Sequence, residues 1–180
     1  MIVTRIMSRL ANPEKHDDLL NYQLKRLVGI GGAPAIRLCE GRYGVTRQEW
    51  RLIAAFVEEG PMTPSTVARR CSWPIEPGRI SRIISSLTAK GLVRRAQLSS
   101  DGRRAMLEVT ADGSRLYAEL FPQLAEINRR IMMALDEGEA ILLATFLEKL
   151  TARARQIHDE GDGVDARADR RLGSSRRLGT

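Results

Sequence analysis

Aromatic residues are scarce in this chain: three Phe, three Tyr and two Trp make up 4% of its 180 residues. Its core must therefore be aliphatic, drawn from Leu, Ile, Val, Ala and Met. Cysteine is scarcer, with only Cys39 and Cys71. They lie far apart and in no CxxC, which argues against a disulfide framework and against a zinc site. No apolar run approaches the roughly 18 residues that a membrane span needs. The opening MIVTRIMSRLANPEKHDD has no sustained apolar region and no small-residue cleavage site. Neither a signal peptide nor an anchor is expected, and the default location is cytoplasmic.

Lysine is nearly absent too, occurring at positions 15, 25, 90 and 149. The formal charge of +7 and the pI near 10.1 thus rest on arginine. A basic chain implies an acidic partner, nucleic acid first and an anionic membrane surface second. Arginine richness also follows from genomic base composition, so charge alone decides little. With 43% hydrophobic residues, the chain can build one domain with a real core, or a small domain with long helical arms.

Residues 16–40 carry Leu20, Leu24, Leu27 and Val28 at helical spacing. GIGGAP, residues 29–34, predicts a kink or break there. Thr46 and Glu49 form a capping box. Trp50, Ile53 and Val57 continue that helix until Gly60-Pro61 stops it. Thr63-Pro64 signals another start, a hydroxyl cap before proline. After a turn, Pro77 opens a helix with Ile80, Ile83, Ile84 and Leu87 on one stripe. Lys90 and Gly91 close it.

Two alternating runs follow, LVRRAQL and AMLEVT, around a turn containing Asp101-Gly102. Met106, Glu108 and Thr110 fall on one side of the second run, Leu107 and Val109 on the other. Thr110 can cap the next element, whose Leu116, Leu120, Leu124, Ile127, Ile131 and Leu135 step by fours and threes, with a bend expected at Pro122. Asp136 and Glu139 form a second capping box, opening a last helix that ends near His158. Residues 159–180 are charged and almost free of large apolar groups, so a disordered basic tail is expected.

The predicted fold is mainly α with a small β-hairpin. It consists of a winged helix-turn-helix domain flanked by long N- and C-terminal dimerisation helices. The boundaries are 16–42 for the N-terminal helix, 45–110 for the DNA-binding domain and 111–158 for the C-terminal helices. The recognition helix spans about 77–90 and the wing about 92–109. In such a domain the second helix enters a major groove and the hairpin reaches toward a minor groove.

Across residues 45–150, and more loosely back to residue 16, the chain resembles the MarR family of bacterial transcription regulators. The resemblance rests on EWRLIA before the helix-turn-helix, ISRIISSLTAKGLVRR through the recognition helix and first strand, and SSDGRRAMLEVTADG for the wing. Asp101 and Arg103 match the family's D-x-R wing signature, and Ser81-Arg82 its Thr/Ser-Arg pair. Departures are EPGRIS at the start of the recognition helix, Ser86 where a basic residue is common, and the tail after His158. The resemblance implies a homodimer interlocked by its terminal helices and a pseudo-palindromic site in double-stranded DNA. It also implies a small-molecule effector, often an aromatic acid, bound between the dimerisation helices and the DNA-binding lobe. Trp50 and Tyr43 lie near that region, and core packing explains Trp50 equally well.

Arg79 and Arg82 fall away from the isoleucine stripe. Contact with base edges or phosphates and a solvated helix face are both open readings, and the context favours contact. Ser81 is a weaker base-contact candidate, and Gly78 permits close backbone approach. At the wing, Arg103 suits a narrow minor groove. Arg104 either joins it or begins the return strand, and Asp101 orients Arg103 by a charge-assisted hydrogen bond. Thr63, Ser65 and Thr66 are phosphate candidates for which simple capping is at least as good an account.

Cys39 and Cys71 fit buried structural thiols better than redox sensors. His16 and His158 make no metal site on their own, and GIGGAP is no phosphate loop. No cofactor is implied. No nucleophile–base pair or carboxylate pair stands out, so enzyme activity is not expected. The expected function is a sequence-specific DNA-binding regulator, a repressor released by an effector. The rivals are a chromatin-like, non-specific DNA-coating protein and a winged-helix protein-interaction module.

Overall fold

The computed structural model describes residues 9–70, 77–97 and 105–161. The chain divides into two compact units, Met1–Ile131 and Met132–Thr180. Among the described residues no helix is long and apolar enough to cross a membrane.

A short 3-10 turn, His16–Asp18, precedes α1, Leu20–Ile36. The predicted break at GIGGAP does not occur. The helix runs through all three glycines and through Pro34, then widens into a π turn over Arg37–Arg42. Proline removes one helical N–H and crowds the preceding turn. Here the irregularity appears just beyond it, where the Tyr43 amide bonds Leu38 O and the Val45 amide bonds Cys39 O. Two of the glycines have a packing reason, while Gly29 has nothing within 4 Å of its Cβ position. A Cβ on Gly31 would stand 3.1 Å from Ile131 Cδ1, and one on Gly32 would stand 3.0 Å from the Arg47 guanidinium. Small residues let these groups approach the helix closely. The predicted helix of residues 16–42 is thus a 3-10 turn, an α-helix and a π turn in series.

Helix α2, Arg47–Glu59, opens on the predicted capping box: the Glu49 amide donates to Thr46 Oγ1 and the Thr46 amide to Glu49 Oε2. Gly60, at φ 83°, ends it. Helix α3, Pro64–Arg70, is short, and α4, Pro77–Ala89, follows. Ile80, Ile83, Ile84 and Leu87 of α4 are all buried, as their spacing predicts. They pack into one hydrophobic core with Leu52, Ile53 and Phe56 of α2.

Strands β1, Val93–Gln97, and β2, Ala105–Val109, pair antiparallel with Arg95 opposite Leu107. Met62 adds a bridge to Leu107 with hydrogen bonds in both directions. Leu107 is fully buried, on the face its alternation assigned. On the neighbouring pair of the ladder, Arg94 and Glu108 stand opposite each other and form a 2.6 Å ion pair.

Thr110 joins the hairpin to α5, Ala111–Met132. Its Oγ1 accepts from the Gly113 amide and donates to Gly91 O. Helix α5 continues through Pro122. Helix α6, Glu137–Asp159, starts on the predicted Asp136–Glu139 capping box.

Cys39 is 1% exposed in the core. Burial pushes its thiol up, against the opposing charge of Arg47. In a Cys71→Ala variant, a thiol reagent is therefore expected to label Cys39 only as the protein unfolds. Rapid stoichiometric labelling of the native protein would show that the thiol is accessible after all. Cys71 itself lies outside the described residues.

Candidate nucleic-acid interface

Helix α4 has two chemically distinct sides. The isoleucine stripe is buried, while Arg79, Ser81, Arg82 and Ser85 are exposed. Gly78 lies in its first turn. Three of the predicted groups, Arg79, Ser81 and Arg82, are thus brought to one open surface. The wing candidates Asp101, Arg103 and Arg104 lie outside the described residues. Strand β1 leads from the end of α4 toward them, and β2 returns from Ala105.

The position of α4 is held by a polar contact of which the sequence shows only the capping half. Glu49, 3% exposed, receives Ser86 Oγ at 2.6 Å and Lys90 Nζ at 2.8 and 2.9 Å, besides the Thr46 amide. Lys90 also donates to Gly44 O. Burial by itself raises the Glu49 carboxyl. The Lys90 and Ser86 hydrogen bonds, the Thr46 amide and the Lys90 charge outweigh it and hold the group below the ordinary glutamate range. Ser86, a departure from the family pattern, is therefore a partner in this contact. Closer to the start of α4, Arg79 Nε donates to Gln48 Oε1 at 3.2 Å.

At the start of α3, Thr63 Oγ1 accepts from the Thr66 amide and lies 2.9 Å from the hydroxyls of Ser65 and Thr66. The three predicted residues do meet, and Thr63 acts as the cap.

Trp50 stacks on Tyr117 and Tyr117 on Phe121, with ring centroids 5.3 and 5.4 Å apart. Trp50 is thus a packing residue. Tyr43 borders a different feature, receiving a hydrogen bond from Gln123. Beside that pair lies a groove of about 600 Å³ lined by Pro34, Leu38, Pro122 and Ile127 with Arg37, Arg42, Gln123 and one carboxylate, Glu126. Its residues come from stretches some eighty positions apart, so no local motif announces it. Among the described residues no cluster of His, Cys, Asp and Glu could hold a metal.

A MarR family model matches residues 43–104, from just before α2 into the wing. The HTH-type transcriptional regulator FarR of Neisseria gonorrhoeae is 30% identical over 106 residues, covering 59% of this chain and 71% of FarR. The chain belongs to the MarR family. Another member-like relative is the homoprotocatechuate degradative operon repressor of Escherichia coli, 27% identical over 67% of this chain and 82% of its own. Among solved structures, NadR in complex with 4-hydroxyphenylacetate superposes with a TM-score of 0.62 at 26% identity, over 77% of this chain and 96% of NadR. The protein is accordingly a MarR family transcriptional regulator with a winged-helix fold. Of the expected residues, 43–104 contain every proposed DNA-contact position, from Thr63 to Arg104.

Proposed function

We propose that this protein is a homodimeric repressor that reads a pseudo-palindromic operator and is released by an aromatic acid. The observation that carries the reading is the two-sided α4: four buried aliphatic residues fix it to the core, and Arg79, Ser81 and Arg82 face solvent. In this reading Arg79 and Arg82 contact base edges with Ser81 as a weaker base contact, Gly78 allows close backbone approach, and Arg103, oriented by Asp101, enters the minor groove with Arg104 beside it. Thr63, Ser65 and Thr66 stand as backbone contacts at α3.

Dimerisation is supported by unpartnered apolar side chains at both ends. Leu27, Val28 and Ile30 of α1 are exposed, as are Ile141, Leu142 and Phe146 of α6. Such faces on a monomer mark an interface. A two-fold pair would set two copies of α4 about one DNA turn apart. The effector site is the groove beside Tyr43. Arg37 and Arg42 suit a carboxylate, and Leu38, Pro34 and Ile127 suit a ring. Two relatives support that class, one named for homoprotocatechuate and one bound to 4-hydroxyphenylacetate. Binding would release DNA only by favouring a lobe spacing the operator does not fit. The protein acts in the cytoplasm, on DNA, without catalysis of its own.

The test is binding to DNA upstream of its own gene at near-physiological salt with excess competitor. Tight, competitor-resistant binding is expected. It should weaken by roughly tenfold or more in Arg82→Ala, and in Arg103→Ala as well. If competitor abolished the wild-type complex, non-specific DNA coating would replace this reading.

A further inference from the structure

Arg79 is not an isolated side chain on the outer side of α4, because its Nε is bonded to Gln48 Oε1. Gln48 is half-buried in the first turn of α2. The adjacent Glu49 grips α4 at Ser86 and at Lys90 just past its end. Residues 79, 86 and 90 follow one another by seven and four, which places them on one stripe of a helix. The first turn of α2 therefore meets that stripe at two levels: an ionic contact toward its C-terminal end and a neutral hydrogen bond near its start. The ionic contact fixes the spacing of the two helices. Gln48 then presents its amide oxygen at a set place beside Arg79.

We propose that Gln48 is a positioning residue for operator specificity: by accepting from Arg79 Nε, it sets the plane in which that arginine meets a guanine. The inference rests on the DNA-reading face proposed above. A guanidinium bonded at Nε keeps its end-on pair of N–H donors, and that edge matches guanine O6 and N7. A bidentate contact demands a fixed plane, and a free arginine must give up rotamer freedom to supply it. Gln48 restricts that freedom before DNA arrives. It acts through Arg79, so it should change base preference and leave phosphate-driven affinity nearly untouched.

The experiment is selection from a pool of duplexes randomised over about 20 base pairs, two helical turns, with full-length wild type, Arg79→Ala, Gln48→Ala and Gln48→Glu. The readout is the base ratio at each position, with salt dependence measured on one fixed non-selected duplex. The expected result is that Arg79→Ala loses a guanine preference at one pair per half-site. Gln48→Ala should weaken that same preference roughly 3- to 10-fold, with an unchanged salt slope. Gln48→Glu, which keeps an acceptor, should retain it. Loss in Arg79→Ala with full preference in Gln48→Ala would overturn the inference and leave the proposed function standing. An unchanged ratio in Arg79→Ala would overturn it by removing Arg79 as a base reader. No selected site for wild type would remove the proposed function itself, and this inference with it. A misfolded variant would lose all binding rather than one ratio, and would be exchanged for Gln48→Ser under the same readout.

Discussion

Gly113→Ala is expected to destabilise the protein by about 1–3 kcal/mol. Gly113 is buried at the start of α5. A Cβ there would lie 2.3 Å from Leu92 O and 2.6 Å from Val109 Cγ2. The first neighbour is backbone, and it already accepts the Thr110 amide at 3.0 Å. Relief of the clash must move α5 away from the hairpin. That movement strains the Thr110–Leu92 bond and the cap from Thr110 Oγ1 to the Gly113 amide. Overpacking of this kind costs about 1–3 kcal/mol, and a lost cap about 1. The better helix propensity of alanine returns about 1 kcal/mol.

Gly29→Ala is the contrasting variant. It sits inside α1 with nothing within 4 Å of its Cβ position, so only the propensity gain applies and stability should hold or rise. Denaturant unfolding at one fixed protomer concentration checks both. A loss below about 1 kcal/mol in Gly113→Ala would mean the helix start adjusts freely, contrary to this packing.

What could be read ahead of the structure was whatever is local. Thr46 with Glu49, and Asp136 with Glu139, are three residues apart, and a capping box is complete within that span. The burial of Ile80, Ile83, Ile84 and Leu87 follows from helical periodicity and needs no knowledge of what covers them. The absence of a break at GIGGAP is instructive for the same reason. Three glycines and a proline disfavour a helix locally. The opposing observation, the close approach of Ile131 to Gly31 and of Arg47 to Gly32, involves partners that no window along α1 contains.

The site shows the same division. The exposure of Arg79 and Arg82 was legible as the side opposite the isoleucines. Gln48 was not, since its bond to Arg79 spans 31 positions. Glu49 was visible in one of its two roles. The sequence spacing marked it as the acidic partner of a capping box, and the fold adds Ser86 and Lys90 from 37 and 41 positions away. By sequence alone Ser86 is only a missing basic residue; in the fold its hydroxyl donates to that carboxylate.

This second role of Glu49 makes it the other position where one substitution should have a large effect. Glu49→Ala is expected to cost about 3 kcal/mol at neutral pH. It removes a buried carboxylate that serves the Thr46 amide, the Ser86 hydroxyl and the Lys90 ammonium together. Losing one partner of a fully buried pair costs about 3–5 kcal/mol. The Lys90 side chain is 36% exposed and can recover water, which lowers that figure, while the lost capping box raises it again. A double-mutant cycle with Lys90→Ala should return a coupling of about 1–2 kcal/mol, and one near zero would make the pair incidental.

The pH dependence separates charge from shape. The Glu49 carboxyl is held below its ordinary value in the fold. Its charge-dependent stabilisation is therefore complete above the unfolded glutamate value, about 4.3, and is lost as pH falls through the lower folded value. Glu49→Gln keeps the shape and lacks the charge. The stability gap between wild type and Glu49→Gln should accordingly be widest at neutral pH and should close on acidification below about pH 4. Other carboxylates titrate alike in both proteins and cancel in the difference. A gap that stayed constant from pH 7 to pH 3 would assign the role of Glu49 to packing rather than to the ammonium that anchors the far end of α4.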